Sequence, residues 1–271
     1  MSITLIKEKA DLIKQFKTQG YIVHRGLFSP EEAEALIEHI KQAETIDGVS
    51  ALNKGAMTFY SGVYAKSSAL QAIVSQPKIV ELLAQIIGSS FWVRWDQAVA
   101  KGAGAGTFPW HQDNSYNYLK DEHFQLWIAL TKANVDNGGL WLVPKHQNKL
   151  LPHDRVGSHM VFRGNIQEPI LIEAEPGDAI LFSSLTLHST TPNVTQDERW
   201  AYVIEYMSSK DIDPTLTPPY FLVARDGKPT GEFVHWYEGR FNPLNHLKYW
   251  RLYLAKWKKQ LQLKLTTKTN N

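Results

Sequence analysis

A run of short strand-like segments between residue 91 and about residue 207, with no helical pattern between them, constrains the fold most. The segments are rich in aromatic and β-branched residues and read FWVRWDQAVAK, HFQLWIALTKA, GLWLVP, EPILIEA, DAILFSS and RWAYVIEYMS. Turn-forming sequences separate them: GAGAG, DNGG, PKHQNK, EPGD and TPNVTQDE. This arrangement predicts an antiparallel sandwich or barrel as the core of the protein.

The region before this core, residues 1–90, carries mostly helical patterns. The predicted elements are helices at 6–19, after Ser29 and after Pro77, with a short strand at 21–28. Ser29 is predicted to cap the second helix, because Glu32 stands three residues later and completes a capping box.

The region after the core, residues 208–271, is predicted to be a variable region that ends in an amphipathic helix. Its apolar stripe recurs every three or four residues: Leu247, Trp250, Leu254, Trp257 and Leu261. We expect this stripe to pack on the sheet while the basic residues face solvent. Binding to a membrane surface or to a partner is the alternative. Since no repeat or low-complexity linker interrupts the chain, one domain is predicted over residues 1–271.

The composition excludes several classes of site. The chain has no cysteine, which excludes disulfides, thiolate zinc sites, iron–sulfur clusters and cysteine nucleophiles. Any metal must therefore be held by His, Asp or Glu. A net charge of +2 with mixed signs gives no reason to expect nucleic-acid binding. No stretch approaches the roughly 18 apolar residues of a membrane span, and the N-terminus lacks a signal-peptide core, so a cytoplasmic protein is predicted.

A metal site is predicted from two separate segments. In PWHQDNSY, His111 and Asp113 are two residues apart, so that in a strand both side chains point to one face. In PGDAILFSSLTLHST, His188 stands at the end of a hydrophobic strand. Two histidines and one carboxylate on a β scaffold form the facial triad of non-haem iron(II) oxygenases, which leaves the opposite side of the metal open.

Other histidines compete with this interpretation. Asp121-x-His123 and His153-Asp154 are alternative local pairs of ligands. The remaining histidines have no carboxylate two residues away in a strand pattern and are predicted to be structural: His24, His39, His146, His159, His235 and His246.

Arg199 follows His188 by eleven residues and begins the strand RWAYVIEYM. Strand alternation places Arg199 on one face with Ala201 and Val203. An inward-facing guanidinium near a metal is suited to grip a carboxylate through two parallel hydrogen bonds. The alternative is a surface arginine paired with Asp197 or Glu198, which would contribute little.

These motifs together resemble one family. HQD, WIALTKANVDNGGLWLVPKHQNK, EPGDAILFSSLTLHST and Arg199, in this order, are similar to the phytanoyl-CoA dioxygenase-like family of iron(II)- and 2-oxoglutarate-dependent oxygenases. The resemblance runs from about Gly20 to Met207. The sequence departs from the family at 144–146, where the family's usual Pro-Gly-Ser-His turn is replaced by Pro-Lys-His, which is one residue shorter and has no glycine.

The resemblance implies a double-stranded β-helix of the jelly-roll or cupin type, flanked by helices. It implies that iron(II) is held by His111, Asp113 and His188, and that 2-oxoglutarate and dioxygen are co-substrates. The residues implied to bind 2-oxoglutarate are Arg199, Thr190, Trp127 and Gln97.

The implied reaction is hydroxylation of an unactivated C–H bond of a small molecule, with release of succinate and carbon dioxide. Lipid-like, secondary-metabolite and amino-acid-derived substrates all remain open, as do desaturation and ring closure. Aromatic residues near the motif (Trp110, Tyr116 and Tyr118) fit either a pocket wall or ordinary core. Two alternatives to this function are a cupin-like metalloenzyme that does not use 2-oxoglutarate and an inactive binding protein on the same scaffold.

Overall fold

The computed structural model of the protein describes residues 3–44, 51–54, 56–117, 119–145 and 147–258, with the backbone alone at 3–10 and 51–54. Its helices are α1 (Ile3–Gln19), α2 (Pro30–Glu44), α3 (Ser68–Val74), α4 (Pro77–Ala84), α5 (Asn114–Asn117), α6 (Glu238–Phe241) and α7 (Pro243–Lys248), with a 3₁₀ turn at Tyr64–Lys66. Residues 250–258 are also helical. Within the described residues, no helix is both long enough and apolar enough to cross a membrane.

The strands before His123 are β1 (Tyr21–His24), β2 (Ala51–Lys54), β3 (Met57–Ser61), β4 (Phe91–Lys101) and β5 (Phe108–His111). Those that follow are β6 (Phe124–Ala129), β7 (Leu140–Leu142), β8 (His153–Val156), β9 (His159–Phe162), β10 (Ile170–Ile172), β11 (Ala179–Ser183), β12 (His188–Thr190), β13 (Arg199–Ser208), β14 (Tyr220–Arg225) and β15 (Lys228–Val234).

Two antiparallel sheets form the core. The larger sheet has the order β1-β11-β6-β13-β4-β14-β15, with β3 added beside β4 and β2 beside β3. The smaller sheet has the order β10-β7-β12-β5, and β8 and β9 form a separate hairpin. Apolar residues from both sheets pack against each other: Trp127, Ala129, Leu140, Leu142, Ile172, Ile180 and Ala201. The predicted double-stranded β-helix is confirmed.

The N-terminal helices cover the outer face of the larger sheet. Phe16, Leu36 and Leu83 from three of these helices belong to one buried cluster with Leu126 and Ile204 of the sheet. The helices therefore cover the outer face of the larger sheet. Its inner face is turned toward the smaller sheet, and the site lies between the two sheets.

The capping box at the start of α2 is confirmed. The backbone N–H of Glu32 donates to Ser29 Oγ over 3.2 Å, and the backbone N–H of Ser29 donates to Glu32 Oε2 over 2.7 Å. These bonds satisfy donors that a helix start otherwise leaves free. The structure adds α3 and the β2–β3 hairpin, which periodicity did not predict.

The prediction that the C-terminal stripe packs on the sheet is wrong. Leu247 is 61% exposed, Trp250 52%, Leu254 40% and Trp257 57%, while Leu261 lies outside the described residues. Both faces of the larger sheet are already occupied, by the N-terminal helices and by the smaller sheet. The strands β14 and β15, which the sequence did not predict, extend the larger sheet instead.

Candidate metal centre and its cavity

Antiparallel pairing brings the three predicted metal ligands together. His111 at the end of β5 is the Cα partner of His188 at the start of β12. Asp113 Oδ1 lies 3.4 Å from His111 Nε2 and 3.6 Å from His188 Nε2. One ligand atom from each residue lies within 4.8 Å of the others. Chain segments 77 residues apart thus converge on one point.

Backbone carbonyls orient both imidazole rings. His111 Nδ1 lies 2.8 Å from the Pro109 carbonyl oxygen, and His188 Nδ1 lies 3.0 Å from that of Thr186. Because a carbonyl only accepts hydrogen bonds, each Nδ1 carries the proton and each Nε2 presents its lone pair to the centre. Burial and the neighbouring His111 lower the pKa of His188 to about 4, so this ring is neutral at pH 7.

Asp113 is the charged member of this cluster. Burial alone would raise its pKa, but the neighbouring His188 and His111 together hold the pKa below its ordinary value. Its Oδ2 is buried and has no hydrogen-bond partner among the described residues. Gln112 between the two ligands points away and fixes neighbouring loops, accepting from the Leu151 N–H over 2.7 Å and donating to the Lys149 carbonyl over 3.2 Å.

The centre opens into a cavity of about 550 Å³ between the sheets. Cross-strand rows of the larger sheet form one wall. At one end Lys101 pairs with Arg199, in the middle Gln97 and Trp127 flank Val203, and at the other end Trp95 and Gln125 flank Glu205. At about 3.4 Å per residue, the two ends are about 20 Å apart. The wall therefore has a cationic end and an acidic end.

Arg199 marks the cationic end and is 2% exposed. Its Nε and Nη1 have no hydrogen-bond partner among the described residues. The guanidinium lies 5.8 Å from the centroid of the Trp127 ring. Burial lowers the pKa of Arg199 from 12.5 to about 10, which leaves it charged at neutral pH. A surface pairing with Asp197 or Glu198 is therefore wrong, because Arg199 is buried.

The other residues predicted to bind 2-oxoglutarate also line the cavity: Thr190, Trp127 and Gln97. Gln97 donates to Ser61 Oγ over 2.8 Å, which fixes its amide. Thr190 follows His188 by two residues on β12, so its hydroxyl lies on the metal-facing side of the smaller sheet.

Lys101 is a second cation at this end, which the sequence analysis missed. Its Nζ donates to Thr190 Oγ1 over 3.0 Å and to the Thr191 carbonyl. Burial and the nearby Arg199 lower the pKa of Lys101 to about 7. Only the register of β4 against β13 pairs Lys101 with Arg199, and no local pattern indicates that pairing.

The acidic end contains a buried ion network, also missed from sequence. Arg94 is the extra residue of a β-bulge, because Trp95 pairs with Glu205 whereas Val93 pairs with Tyr206. Its guanidinium contacts the Glu205 carboxylate and donates from Nε to Asp213 Oδ2 over 2.7 Å. Two carboxylates thus share one arginine.

Two neutral groups border this network. His123 Nε2 lies 3.3 Å from the Glu205 carboxylate, and burial and Arg94 lower the pKa of His123 to about 3. The Gln125 amide lies beside Glu205, yet neither of its polar atoms makes a well-formed hydrogen bond among the described residues. With Glu205 and Asp213 both ionised, the network holds one more negative than positive charge, next to an unsatisfied amide that lines the cavity. Burial raises the pKa of Glu205 above its ordinary value.

The two competing pairs, Asp121 with His123 and His153 with Asp154, do not belong to any cluster of three possible metal ligands among the described residues. Asp121 pairs with Lys248 over 2.6 Å, and Asp154 pairs with Arg163. His153 accepts from the Gln112 N–H over 3.1 Å. Among the histidines predicted to be structural, His159 lines the cavity and stacks edge-on against Phe108. His146 lies outside the described residues.

Of the aromatic residues near the motif, Tyr116 lines the cavity and stacks edge-on against His111. Trp110 is not part of the lining, and Tyr118 lies outside the described residues.

The donor set fits iron(II) and a dicarboxylate. Two neutral imidazoles and one carboxylate converge from one side, as in a facial triad with open positions. Among the described residues, the buried Asp113 Oδ2 and the buried Arg199 Nε and Nη1 have no hydrogen-bond partner. A metal ion would be the partner of the carboxylate oxygen, and a carboxylate that of the guanidinium.

The comparisons with known proteins agree with this geometry. A sequence model of the family described as phytanoyl-CoA dioxygenase (PhyH) matches residues 16–201. The ectoine dioxygenase of Bordetella bronchiseptica is 21% identical over 244 residues, which cover 78% of each chain. The methylphosphonate hydroxylase of Gimesia maris is 28% identical over 199 residues, which cover 72% of each.

Solved structures share the fold. The epimerase SnoN in complex with Fe3+, alpha-ketoglutarate and nogalamycin RO superposes with a TM-score of 0.65 at 16% identity. The match covers 83% of this chain and 96% of that one.

Proposed function

The chain belongs to the phytanoyl-CoA dioxygenase family and is an iron- and 2-oxoglutarate-dependent oxygenase, and we propose that it hydroxylates an unactivated C–H bond of a small molecule held in the cavity. One observation carries this proposal: the His111–Asp113–His188 cluster lines the same cavity as Arg199, whose Nε and Nη1 have no hydrogen-bond partner among the described residues.

In this proposal each site residue has a defined task. His111, Asp113 and His188 hold iron(II), with the carbonyl-anchored rings fixing its position. Arg199 and the Thr190 hydroxyl bind the distal carboxylate of 2-oxoglutarate, while Trp127 and Gln97 line its path. Iron(II) with 2-oxoglutarate and dioxygen supplies the oxidising chemistry, and succinate and carbon dioxide are released.

The protein also excludes water from the centre. The side chains of His111, Asp113 and His188 are only 6%, 17% and 10% exposed. Phe182 and Tyr116 pack against the two imidazoles. A dry site strengthens the pairing of Arg199 with a carboxylate and limits side reactions of the oxidising species.

The acidic end of the wall is the proposed substrate side. Arg94 is committed to Glu205 and Asp213, so among the described lining residues no cation other than Arg199 is available for an anionic substrate. The surplus negative charge and the Gln125 amide instead favour a hydrogen-bond donor or a cationic nitrogen. The aromatic lining, which includes Trp95 and Tyr116, suits an apolar body attached to such a group.

The test is succinate release. The protein is loaded anaerobically with iron(II) and 2-oxoglutarate, mixed with a metabolite panel rich in apolar amines and alcohols, and exposed to oxygen. Substrate-dependent succinate is the expected result. A product formed without succinate would favour the cupin-like alternative, and metal binding without any turnover would favour the inactive binding protein.

A further inference from the structure

The charge of the chain is concentrated near its C-terminal end. Residues 239–258, named here the basic segment, contain no acidic residue and five cations: Arg240, Lys248, Arg251, Lys256 and Lys258. Since the whole chain carries +2, the residues outside the basic segment carry −3. A block of one sign on an otherwise acidic protein indicates an interaction with negative charge.

The same segment presents an apolar stripe to solvent. Its large side chains recur at intervals of three and four residues and are 40–70% exposed: Phe241, Leu244, Leu247, Trp250, Leu254 and Trp257. Single exposed apolar residues are common on proteins, but six within 17 residues, two of them tryptophans, indicate a binding surface. Arg251 lies beside this stripe, with its guanidinium 5.3 Å from the centroid of the Trp250 ring.

The opposite side of the segment is anchored to the protein. Tyr249 is buried, and its hydroxyl accepts hydrogen bonds from the N–H groups of Lys120 and Asp121 over 2.9 and 3.1 Å. Leu252 and Tyr253 pack against the buried cluster around Tyr220 and Tyr237. The anchoring fixes which side faces outward, so the exposure of the stripe is a consequence of the fold.

We propose that the basic segment binds the surface of an anionic phospholipid membrane, with the stripe inserted at the headgroup level. A helix with tryptophan and leucine on one side and lysine and arginine beside them is the type that lies in the plane of a bilayer interface. Lys248 pairs with Asp121, Lys256 donates to the Pro214 carbonyl and Arg240 lies over the Tyr220 ring, so these three cations face the protein. Arg251 and Lys258 are the cations of the segment that anionic headgroups would complement, and each strengthens binding to such a surface.

A second copy of this chain is the less favourable occupant. A symmetric dimer through this stripe would bring Arg251 and Lys258 of both copies close to each other. Such like-charge contact opposes association. The inference does not depend on the proposed reaction, because it rests on the exposed stripe and the charges of the segment alone.

The experiment is co-sedimentation of the full chain with vesicles. We expect binding to phosphatidylcholine vesicles that contain one-third phosphatidylglycerol, weak binding to phosphatidylcholine alone, and a loss of binding at high salt. Trp250→Ser combined with Trp257→Ser should weaken binding at least about tenfold. Replacing Arg251 and Lys258 by Gln should weaken it about thirtyfold on the anionic vesicles only.

The matched control is Val156→Ser with Val194→Ser, which changes two exposed apolar residues (60% and 72% exposed) outside the segment. It should bind vesicles like the wild type. Far-UV circular dichroism and the midpoint of thermal unfolding establish that each variant is folded. Equal binding of the tryptophan variant and the wild type would overturn the proposal. So would a vesicle-independent dimer that the tryptophan variant converts to monomer, since a second copy would then cover the stripe.

Discussion

Replacing Arg199 by Gln separates ligand binding from stability. Burial lowers the pKa of this guanidinium from 12.5 to about 10, which corresponds to a cost of about 3 kcal/mol for holding its charge in the folded, ligand-free protein. Its Nε and Nη1 gain no hydrogen bond in return among the described residues. Removing the charge therefore relieves this cost, and Arg199→Gln should leave the free energy of unfolding of the ligand-free protein unchanged or higher.

The affinity for 2-oxoglutarate should move in the opposite direction. Losing one partner of a desolvated charge pair costs about 2–5 kcal/mol, so the dissociation constant should rise roughly thirtyfold to several thousandfold. The matched control is Arg163→Gln, which removes an exposed arginine (63% exposed) that pairs with Asp154. That pair contributes about 0–1 kcal/mol and lies outside the lining, so the control should bind 2-oxoglutarate normally.

The assay is anaerobic calorimetric titration of 2-oxoglutarate into iron-loaded protein, with urea unfolding of the ligand-free protein in parallel. An unchanged dissociation constant in Arg199→Gln would refute the role of this residue. A fall in stability as large as the loss of affinity would also refute the reasoning, because it would mean that Arg199 stabilises the fold rather than the ligand.

His188→Ala should abolish iron binding and succinate production while the protein stays folded. The control His235→Ala changes an exposed histidine and should still bind one iron per chain. Wild-type turnover in His188→Ala would contradict the assignment of His188 as a metal ligand. Burial and Arg199 lower the pKa of Lys101 from 10.5 to about 7, so the charged form destabilises the fold at low pH and the ligand-free protein should gain stability from pH 7 to 10. Lys101→Met should flatten that rise in urea unfolding, and an unaltered slope would contradict the buried charge. Glu205→Gln should weaken binding of an amine substrate about tenfold or more without changing 2-oxoglutarate affinity; equal losses for amine and neutral substrates would place the substrate elsewhere. Because Asp113 occupies the position that chloride takes in related halogenating enzymes, product mass under labelled dioxygen in chloride buffer should show one added oxygen, and a chlorinated product would contradict this prediction.

The His111–Asp113–His188 cluster was predictable because most of its signal is local. His111 and Asp113 stand two residues apart, and His188 follows a hydrophobic strand that begins after a tight turn. The prediction that His188 ends that strand is wrong, because β11 ends at Ser183 and His188 begins β12 in the other sheet, while Asp113 lies just after β5. The capping box of Ser29 and Glu32 is equally local, since it spans a single helical turn. In each case a chemical requirement matches a spacing of a few residues.

The sequence by itself determined the fold class, the family, the residue types of the His–Asp–His cluster and six of the strands: β4, β6, β7, β10, β11 and β13. The tertiary structure alone decided which side chains share the cavity and which face of the C-terminal segment is exposed. Lys101 meets Arg199, and Arg94 meets Glu205, through the register and a bulge between β4 and β13, which join residues about a hundred positions apart. A period of two fixes the face on which a side chain lies, but it leaves open which strand lies opposite. That choice depends on the packing of the whole sheet, and the same packing left no sheet face for Trp250 and Trp257.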